Sequence, residues 1–401
     1  MKIVVVHEVN YLEKIIYEYQ ILPEILSILG HEITVVDYDE TWRNGSAKQQ
    51  IVDLKTKIYA NTHRAYPAAS VTVRRPGMVR LPLLARFTGA ITNGLEVRRV
   101  LAQNKPDAIL LYGLPTVGLQ SVINGRWFDV PVVFRSIDVL SQLAPPSLAG
   151  MTKLLERIVY RSVAGIVALT PRLQQHVASY GVPDDRIRLL PCGVDTSLFS
   201  PGSKNASLLS QWNIGPVDPV ILFMGTIYRF SGLDRVIADF HRILNRHPQT
   251  KLLVVGWGED EERLKRLAIE HQVSANVVFT GLQPYSSLPG IIRASDICIN
   301  PFELNAITRD ILPNKLFQYL ACGKPLVATR LPGTEPFLPG EDEGVVYTPQ
   351  DQVADRLLEL IDDPARRRQL GENAASAVQQ KYDWKKIAEQ MVQLIQQLVS
   401  K

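Results

Sequence analysis

Short apolar runs alternate along the chain with stretches of helical periodicity. The runs at 2–6 and 297–300 are typical of buried parallel strands. Between such runs, apolar residues recur at three- and four-residue spacing, as at 15–29 and 316–321, which predicts amphipathic helices. This alternation indicates an α/β architecture built on parallel sheets.

Residues 296–329 are predicted to form a strand, a polar loop, a helix and a second strand. The loop 301–313 leads into a helix whose first-turn N–H groups favour an anion. Lys315 lies in this first turn, where the helix dipole disfavours a cation. A bound phosphate explains Lys315 better than helix stability does, and a solvated lysine is the alternative. Gly323 is expected to end the helix.

The composition is that of an ordinary globular protein, with 401 residues of which 46% are hydrophobic and 21% charged. This length predicts two or three domains. A net charge of +4 is too small to indicate a nucleic-acid partner. Cys192, Cys298 and Cys322 are too few and too far apart for a disulfide framework, which favours free thiols in the reducing cytoplasm. The run at 2–6 is interpreted as a first strand, not a signal peptide, and no run has the length of a membrane span.

Residues 54–95 contain seven lysines and arginines and no acidic residue. Leu81, Leu83, Leu84 and Phe87 lie among them. A basic segment with apolar residues at such spacing predicts peripheral contact with an anionic membrane through residues 55–99, at the inner face of the membrane. A solvated basic loop and helix is the alternative.

The segment that contains Lys315 resembles the donor-sugar signature of glycosyltransferase family 4, also described as the group 1 glycosyl transferases. The residues in step with this signature are Pro313, Lys315, Tyr319, Ala321, Gly323, Lys324, Pro325, Val327 and Ala328. In the family, two glutamates of the signature contact the sugar and the ribose, and the matching positions here are Asp310 and Gln318. The resemblance therefore implies a catalytic position at Asp310 and a ribose contact at Gln318.

The loop at 225–232 resembles the family's diphosphate-binding loop, with Thr226 and Ser231 where relatives have Arg and Lys. A departing diphosphate requires charge stabilisation. Arg229 and Arg309 are predicted to provide it, although an exposed loop arginine is the alternative for Arg229. The implied donor-binding set is Gly225, Thr226, Arg229, Ser231, Gly256, Gly281, Leu282, Arg309, Asn314, Lys315 and Gln318.

Asp138 follows the strand predicted at 131–135 and is the second candidate catalytic residue, in contact with the sugar or the acceptor. A role as a helix cap is the alternative. Asp37 and Asp39 form a D-x-D pattern, which signals metal binding elsewhere. Their position after the second strand is interpreted as coincidence, and no metal site is predicted.

The resemblance implies a GT-B fold, in which two doubly wound Rossmann-like domains face a central cleft. Residues 1–200 are expected to bind the acceptor, residues 201–380 the donor, and residues 381–401 to form a helix that crosses back to the first domain. The implied reaction is transfer of a sugar from a nucleoside diphosphate sugar to a hydroxyl of a glycan, lipid or small molecule, with retention and without metal or other cofactor. The alternatives are a non-catalytic nucleotide-sugar-binding subunit and a nucleotide-sugar epimerase.

Overall fold

The computed structural model describes residues 1–40, 51–81 and 84–399. The chain forms two compact units, which are described separately below. The first unit comprises Met1–Pro191 together with the chain from Ile387 onward, and the second comprises Cys192–Lys386. No helix among the described residues is both long enough and apolar enough to cross a bilayer.

The first unit contains ten strands and six helices of its own among the described residues. The strands are β1 Lys2–Val6, β2 Glu32–Val36, β3 Val52–Asp53, β4 Lys57–Thr62, β5 Val71–Arg75, β6 Met78–Val79, β7 Ala108–Leu111, β8 Val132–Ser136, β9 Gly165–Ala168 and β10 Ile187–Leu189. The helices are α1 Glu18–Ile28, α2 Leu84–Asn104, α3 Gly118–Phe128, α4 Leu140–Leu143, α5 Pro146–Ser162 and α6 Pro171–Ser179.

Eight of these strands form one sheet in the order β10-β9-β8-β7-β1-β2-β5-β4, and β3 pairs with β6 separately. The sheet is parallel except for β4, which runs antiparallel to β5 at the edge. Strands β7, β8 and β9 are buried along their whole length, because helices cover both faces of a parallel sheet. The strand order reverses between β1 and β7, which is where such sheets bind ligands.

The second unit contains six strands among the described residues. They are β11 Val220–Met224, β12 Lys251–Val255, β13 Val277–Gly281, β14 Ile297–Asn300, β15 Leu326–Ala328 and β16 Val345–Tyr347. The helices are α7 Ala206–Ser210, α8 Leu233–Leu244, α9 Glu261–Glu270, α10 Leu288–Ala294, α11 Asn314–Ala321, α12 Val353–Asp362, α13 Pro364–Lys381 and α14 Trp384–Val399, the last of which continues into the first unit.

The sheet of the second unit is parallel throughout, in the order β13-β12-β11-β14-β15-β16. Side chains such as Phe223 and Ile299 form its core together with Phe240 of α8 and Leu357 of α12. The strand order reverses between β11 and β14, so a second ligand-binding position is expected at their carboxyl ends.

Several sequence predictions of local structure are confirmed. The strands at 2–6 and 297–300 have the predicted bounds. Helix α11 ends at Ala321, and Gly323 follows in the left-handed region with φ +70°, where glycine is favoured.

Candidate active site

Three predicted glycine positions of the second unit lie together at the carboxyl edge of its sheet. The N–H of Gly225 donates to the carbonyl of Val255 at 2.8 Å, and the N–H of Gly256 donates to the carbonyl of Gly281 at 2.9 Å. A Cβ on Gly256 would lie 2.1 Å from the carbonyl oxygen of Gly225, and its φ is +130°. Only glycine fits this crossing, so the loops after β11, β12 and β13 are held in close contact.

Lys315 lies beside these loops at the switch point between β11 and β14. Its ammonium nitrogen is 3.8 Å from the centre of the Phe223 ring and 4.4 Å from that of Phe302. A Cβ on Gly225 would lie 3.7 Å from the same nitrogen. No carboxylate of the described residues pairs with Lys315, and burial lowers its pKa well below the usual value. A desolvated cation without a counter-charge is poised for an anionic ligand, which would restore its charged form.

Two hydrogen bonds of a tyrosine position Lys315 against the glycine loops. The hydroxyl of Tyr319, one helical turn after Lys315, accepts from the N–H of Met224 at 2.6 Å and donates to the carbonyl of Met224 at 3.3 Å. Met224 is the last residue of β11. These bonds therefore fix the first turn of α11 relative to the start of the loop at Gly225.

Two asparagines near this edge have buried polar atoms without a hydrogen-bond partner among the described residues. They are Oδ1 and Nδ2 of Asn300, at the end of β14, and Oδ1 of Asn314, the first residue of α11. Buried polar groups are normally paired, so these atoms are available to a ligand. Asn314 belongs to the predicted set, whereas Asn300 was not predicted. The sequence does carry a signal for Asn300, since it is a polar residue at the end of an apolar strand.

The predicted residues of the loop after β11 differ in their solvent exposure. The side chains of Thr226 and Arg229 are exposed, and Arg229 pairs with no carboxylate of the described residues. Ser231 is buried, and its hydroxyl oxygen accepts from the N–H of Tyr228 at 2.9 Å. Gly232 follows with φ +69°, and a Cβ there would lie 1.8 Å from the carbonyl oxygen of Pro301. Ser231 and Gly232 therefore shape the loop, while Arg229 is free to move toward a ligand.

The remaining predicted donor residues lie around α11 and β13. Arg309 and Asp310 share a short 3₁₀ turn, in which Nε of Arg309 is 3.8 Å from Oδ1 of Asp310. Arg309 is half-exposed and Asp310 is largely buried. Gln318 is partly buried in α11, and Leu282 is exposed immediately after β13. The Arg309 charge is therefore shared with Asp310, whereas no carboxylate of the described residues pairs with Lys315 or Arg229.

The switch point of the first unit carries buried polar residues. Both ring nitrogens of His7 lack a partner among the described residues, and burial lowers its pKa to about 3. The carboxylate of Glu8 accepts from the N–H groups of Thr116 and Val117 at 2.6 and 3.2 Å. Burial nevertheless raises the pKa of Glu8. His7 is therefore neutral at physiological pH, and Glu8 caps the start of α3.

Asp138 lies in the first unit beside a fully buried ion pair. Nε of Arg135 donates to Oε1 of Glu18 at 2.6 Å, and a second guanidinium nitrogen donates to Oε2 at 3.1 Å. The hydroxyl of Tyr112 also donates to Glu18, at 3.1 Å. Burial, and to a smaller extent the charge of Glu18, raises the pKa of Asp138 to about 6. A carboxyl group with this pKa can exchange a proton near neutral pH.

Asp138→Asn is expected to remove a pH-dependent loss of stability. Because the pKa of Asp138 is raised on folding, the folded chain holds a proton between about pH 4 and pH 6 that the unfolded chain has released. The free energy of unfolding therefore falls as the pH rises through this window, and it should fall less in the variant. Urea unfolding at both pH values checks this, with the exposed Asp184→Asn as the control. An equal decrease in wild type and Asp138→Asn would contradict it.

The D-x-D carboxylates are engaged by arginines. Nε of Arg75 donates to Asp37 at 3.0 Å, and Arg80 lies 3.4 Å from Asp39. Among the described residues, no group of three or more His, Cys, Asp or Glu side chains could hold a metal ion. The predicted independence from metal stays a prediction.

Comparison with known proteins places the chain in a family. The model for Glycosyltransferase Family 4 matches residues 25–198, and that for Glycosyl transferases group 1 matches residues 207–377. The D-inositol 3-phosphate glycosyltransferase of Corynebacterium jeikeium is 32% identical over 254 residues, which are 61% of this chain and 59% of that relative. The chain thus spans about six-tenths of the length of this curated relative.

Two solved structures share the fold over nearly the whole chain. Sucrose-phosphate synthase from Thermosynechococcus elongatus has a TM-score of 0.73 at 19% identity, covering 100% of this chain and 99% of its own. Anabaena HepE, solved in complex with UDP and glucose, has a TM-score of 0.74 at 15% identity and covers 99% of each chain. At these identities the likeness shows the fold alone.

The two α/β units, each built on a largely parallel sheet with a topological switch point, define a protein of the GT-B fold class, and this predicted class is confirmed. The chain belongs to glycosyltransferase family 4, whose carboxyl-terminal part is described as the group 1 glycosyl transferases. The family prediction is therefore confirmed as well. The roles of individual site residues, including Asp138 and Asp310, stay predictions.

Proposed function

We propose that the protein transfers a sugar from a nucleoside diphosphate sugar to a hydroxyl group. The observation that carries this proposal is Lys315, a desolvated cation without a carboxylate partner among the described residues, beside Gly225 at the β11–β14 switch point. Membership in the family supports it, as do the glycosyltransferase activity named for the Corynebacterium relative and the UDP bound by HepE.

The described residues suggest a division of roles around the donor. Lys315 and Arg229 would neutralise the diphosphate, because each has a charge that no described carboxylate neutralises. The glycine loops would let the phosphates approach the backbone closely. Gln318 would contact the ribose, and Asp310 the sugar. We further propose retention of the anomeric configuration and independence from metal, which the family resemblance supports.

In this proposal, the acceptor binds to the first unit, which contains Asp138. The carboxyl group of Asp138, with a pKa of about 6, could accept a hydrogen bond from a hydroxyl or donate one to it at neutral pH.

We propose a cytoplasmic location, which the three buried free cysteines support. The base, the sugar and the acceptor are left to experiment.

A non-catalytic nucleotide-sugar-binding subunit is the second candidate. It is favoured by Thr226 and Ser231, which replace two charges of the family's loop, and by Gln318, which replaces a glutamate. Binding of the donor without turnover across acceptors would identify this function. Conversion of the donor without any acceptor would instead identify the nucleotide-sugar epimerase.

The proposed function is tested first by thermal unfolding with UDP, GDP, ADP and dTDP and their sugars, without added metal. A ligand at about 100 times its dissociation constant should stabilise the folded protein by roughly 2.7 kcal/mol. A shift with one nucleotide family is the expected result, and it selects the donor for an activity assay. No shift with any of these ligands would contradict the assignment of the donor site.

A further inference from the structure

Three neighbouring helices of the first unit carry apolar side chains on the surface that faces away from the sheet. Helix α2 packs against α3, and α3 packs against α5. We call the solvent-exposed surface of these three helices the outer face. On α2, exposed apolar residues recur at helical spacing at Leu84, Phe87, Ile91 and Leu95.

The same pattern continues across the other two helices. On α3 the exposed apolar residues are Leu119, Ile123 and Trp127, spaced one helical turn apart. On α5 they are Leu148, Met151, Leu154 and Ile158. Phe87 is 67% exposed and Trp127 is 71% exposed, so these side chains are not partly covered core residues. Each helix therefore has an inner apolar surface that packs on the unit and a second one that faces solvent.

Such a surface requires an explanation. A helix of a globular protein normally has one apolar stripe, facing the core, and a polar opposite surface. Single exposed apolar residues are common, whereas contiguous exposed apolar patches mark sites of interaction with a partner or a membrane. Repetition of the stripe on three adjacent helices makes this patch contiguous.

The charges on the outer face identify the kind of partner. Every exposed charged residue in the described part of α2, α3 and α5 is basic. The exposed basic residues include Arg98, Arg126, Lys153 and Arg157, whereas Arg86 lies 3.9 Å from Glu8. The two acidic residues of these helices are buried, where Glu96 bonds to Arg74 and Glu156 accepts from the hydroxyl of Tyr180. The partner of this face is therefore anionic as well as apolar.

Three arginines of the basic segment for which the sequence predicted membrane contact are paired within the first unit. Within residues 54–95, Arg74 pairs with Glu96, Arg75 with Asp37 and Arg80 with Asp39. These three charges stabilise the first unit and are not available to lipid. Of that segment, the part that belongs to the outer face is the beginning of α2.

We propose that the outer face is a docking surface for an anionic phospholipid bilayer. Its apolar side chains would enter the boundary between headgroups and acyl chains, and its basic residues would contact lipid phosphates. Arg98 lies over the ring of Trp127 at 5.1 Å, which places a cation and an amphipathic indole together, as at a membrane interface. This proposal is independent of the chemistry proposed for the donor site.

Co-sedimentation with vesicles tests the charge requirement. The protein should pellet with vesicles of phosphatidylcholine mixed with phosphatidylglycerol and remain in solution with phosphatidylcholine alone. Each lost basic contact should weaken partitioning about fivefold, so Lys153→Glu with Arg157→Glu should weaken it at least about 25-fold. The matched control is Arg368→Glu with Lys385→Glu, which reverses two exposed charges outside the outer face. Equal effects of the two pairs, or no binding by wild type, would overturn the proposal.

A second pair of variants tests the apolar requirement. Phe87→Ser with Met151→Ser should weaken partitioning roughly tenfold or more, since both side chains are expected to leave water. Ile28→Ser, at an exposed residue of α1 outside the face, should change it little. The fluorescence of Trp127 should shift to the blue on binding, and Trp127→Phe should lose that shift while still pelleting. The proposal would be overturned if wild type bound no vesicles and formed a dimer that Phe87→Ser with Met151→Ser dissociates. The outer face would then be assigned to contact with a second copy of the chain.

Discussion

Lys315→Ala is expected to weaken binding of the nucleoside diphosphate by about 10- to 100-fold, the range of one hydrogen bond to a charged group. Its ammonium group is desolvated between Phe223 and Phe302 and pairs with no carboxylate of the described residues. The anionic ligand is therefore its natural counter-charge. Calorimetric titration with the nucleotide that stabilises the protein measures the change in affinity.

The controls for this prediction separate charge from packing. Lys315→Met keeps an apolar chain beside the two rings and should bind as weakly as Lys315→Ala. Its unliganded form should unfold at a higher temperature than wild type, because the cost of burying the lysine amine without a partner is removed. Lys324→Ala is the matched control, since Lys324 follows the same helix and burial also lowers its pKa. Arg229→Ala should weaken binding less, because Arg229 is exposed. Unchanged affinity in both Lys315→Ala and Arg229→Ala would refute the phosphate assignment.

Arg135→Met should destabilise the first unit by about 3–5 kcal/mol, the typical cost of leaving a buried charge without its partner. Both members of the Arg135–Glu18 pair are fully buried, and the guanidinium also donates to the carbonyl of Leu190 at 2.6 Å. Replacement of Arg135 alone leaves the Glu18 carboxylate buried without its counter-charge, although the Tyr112 hydroxyl still donates to it. Urea unfolding at pH 7 measures the loss.

A double-mutant cycle distinguishes the unpaired charge from a packing defect. Glu18→Gln with Arg135→Met should recover much of the stability lost in Arg135→Met, because no buried charge then remains. Arg242→Met breaks a solvent-exposed pair with Asp355 and should cost less than about 1 kcal/mol. A double variant that is no more stable than Arg135→Met would show that the loss comes from packing.

The sequence does not show whether a basic residue is paired with a carboxylate, as Arg74, Arg75 and Arg80 illustrate when they are compared with Lys315. All four appear in the sequence as basic residues near apolar ones. The first three pair with carboxylates that lie 22, 38 and 41 positions away in the chain. Lys315 pairs with none of the described carboxylates. The helix-dipole argument singled out Lys315 from the sequence, whereas nothing local indicated that the arginines were neutralised.

The sequence by itself determined the alternation of strands and helices, the bounds of β1 and β14, and the family signature around α11. These features depend on hydrophobic period, caps and glycines, which act between residues close together in the chain. Only the tertiary structure decided which charges are paired, that the side chain of Asn300 has no hydrogen-bond partner among the described residues, and which surfaces of α2, α3 and α5 remain in solvent. These properties depend on contacts between distant segments, and a periodic pattern shows that a helix has two apolar surfaces without showing which one the fold covers.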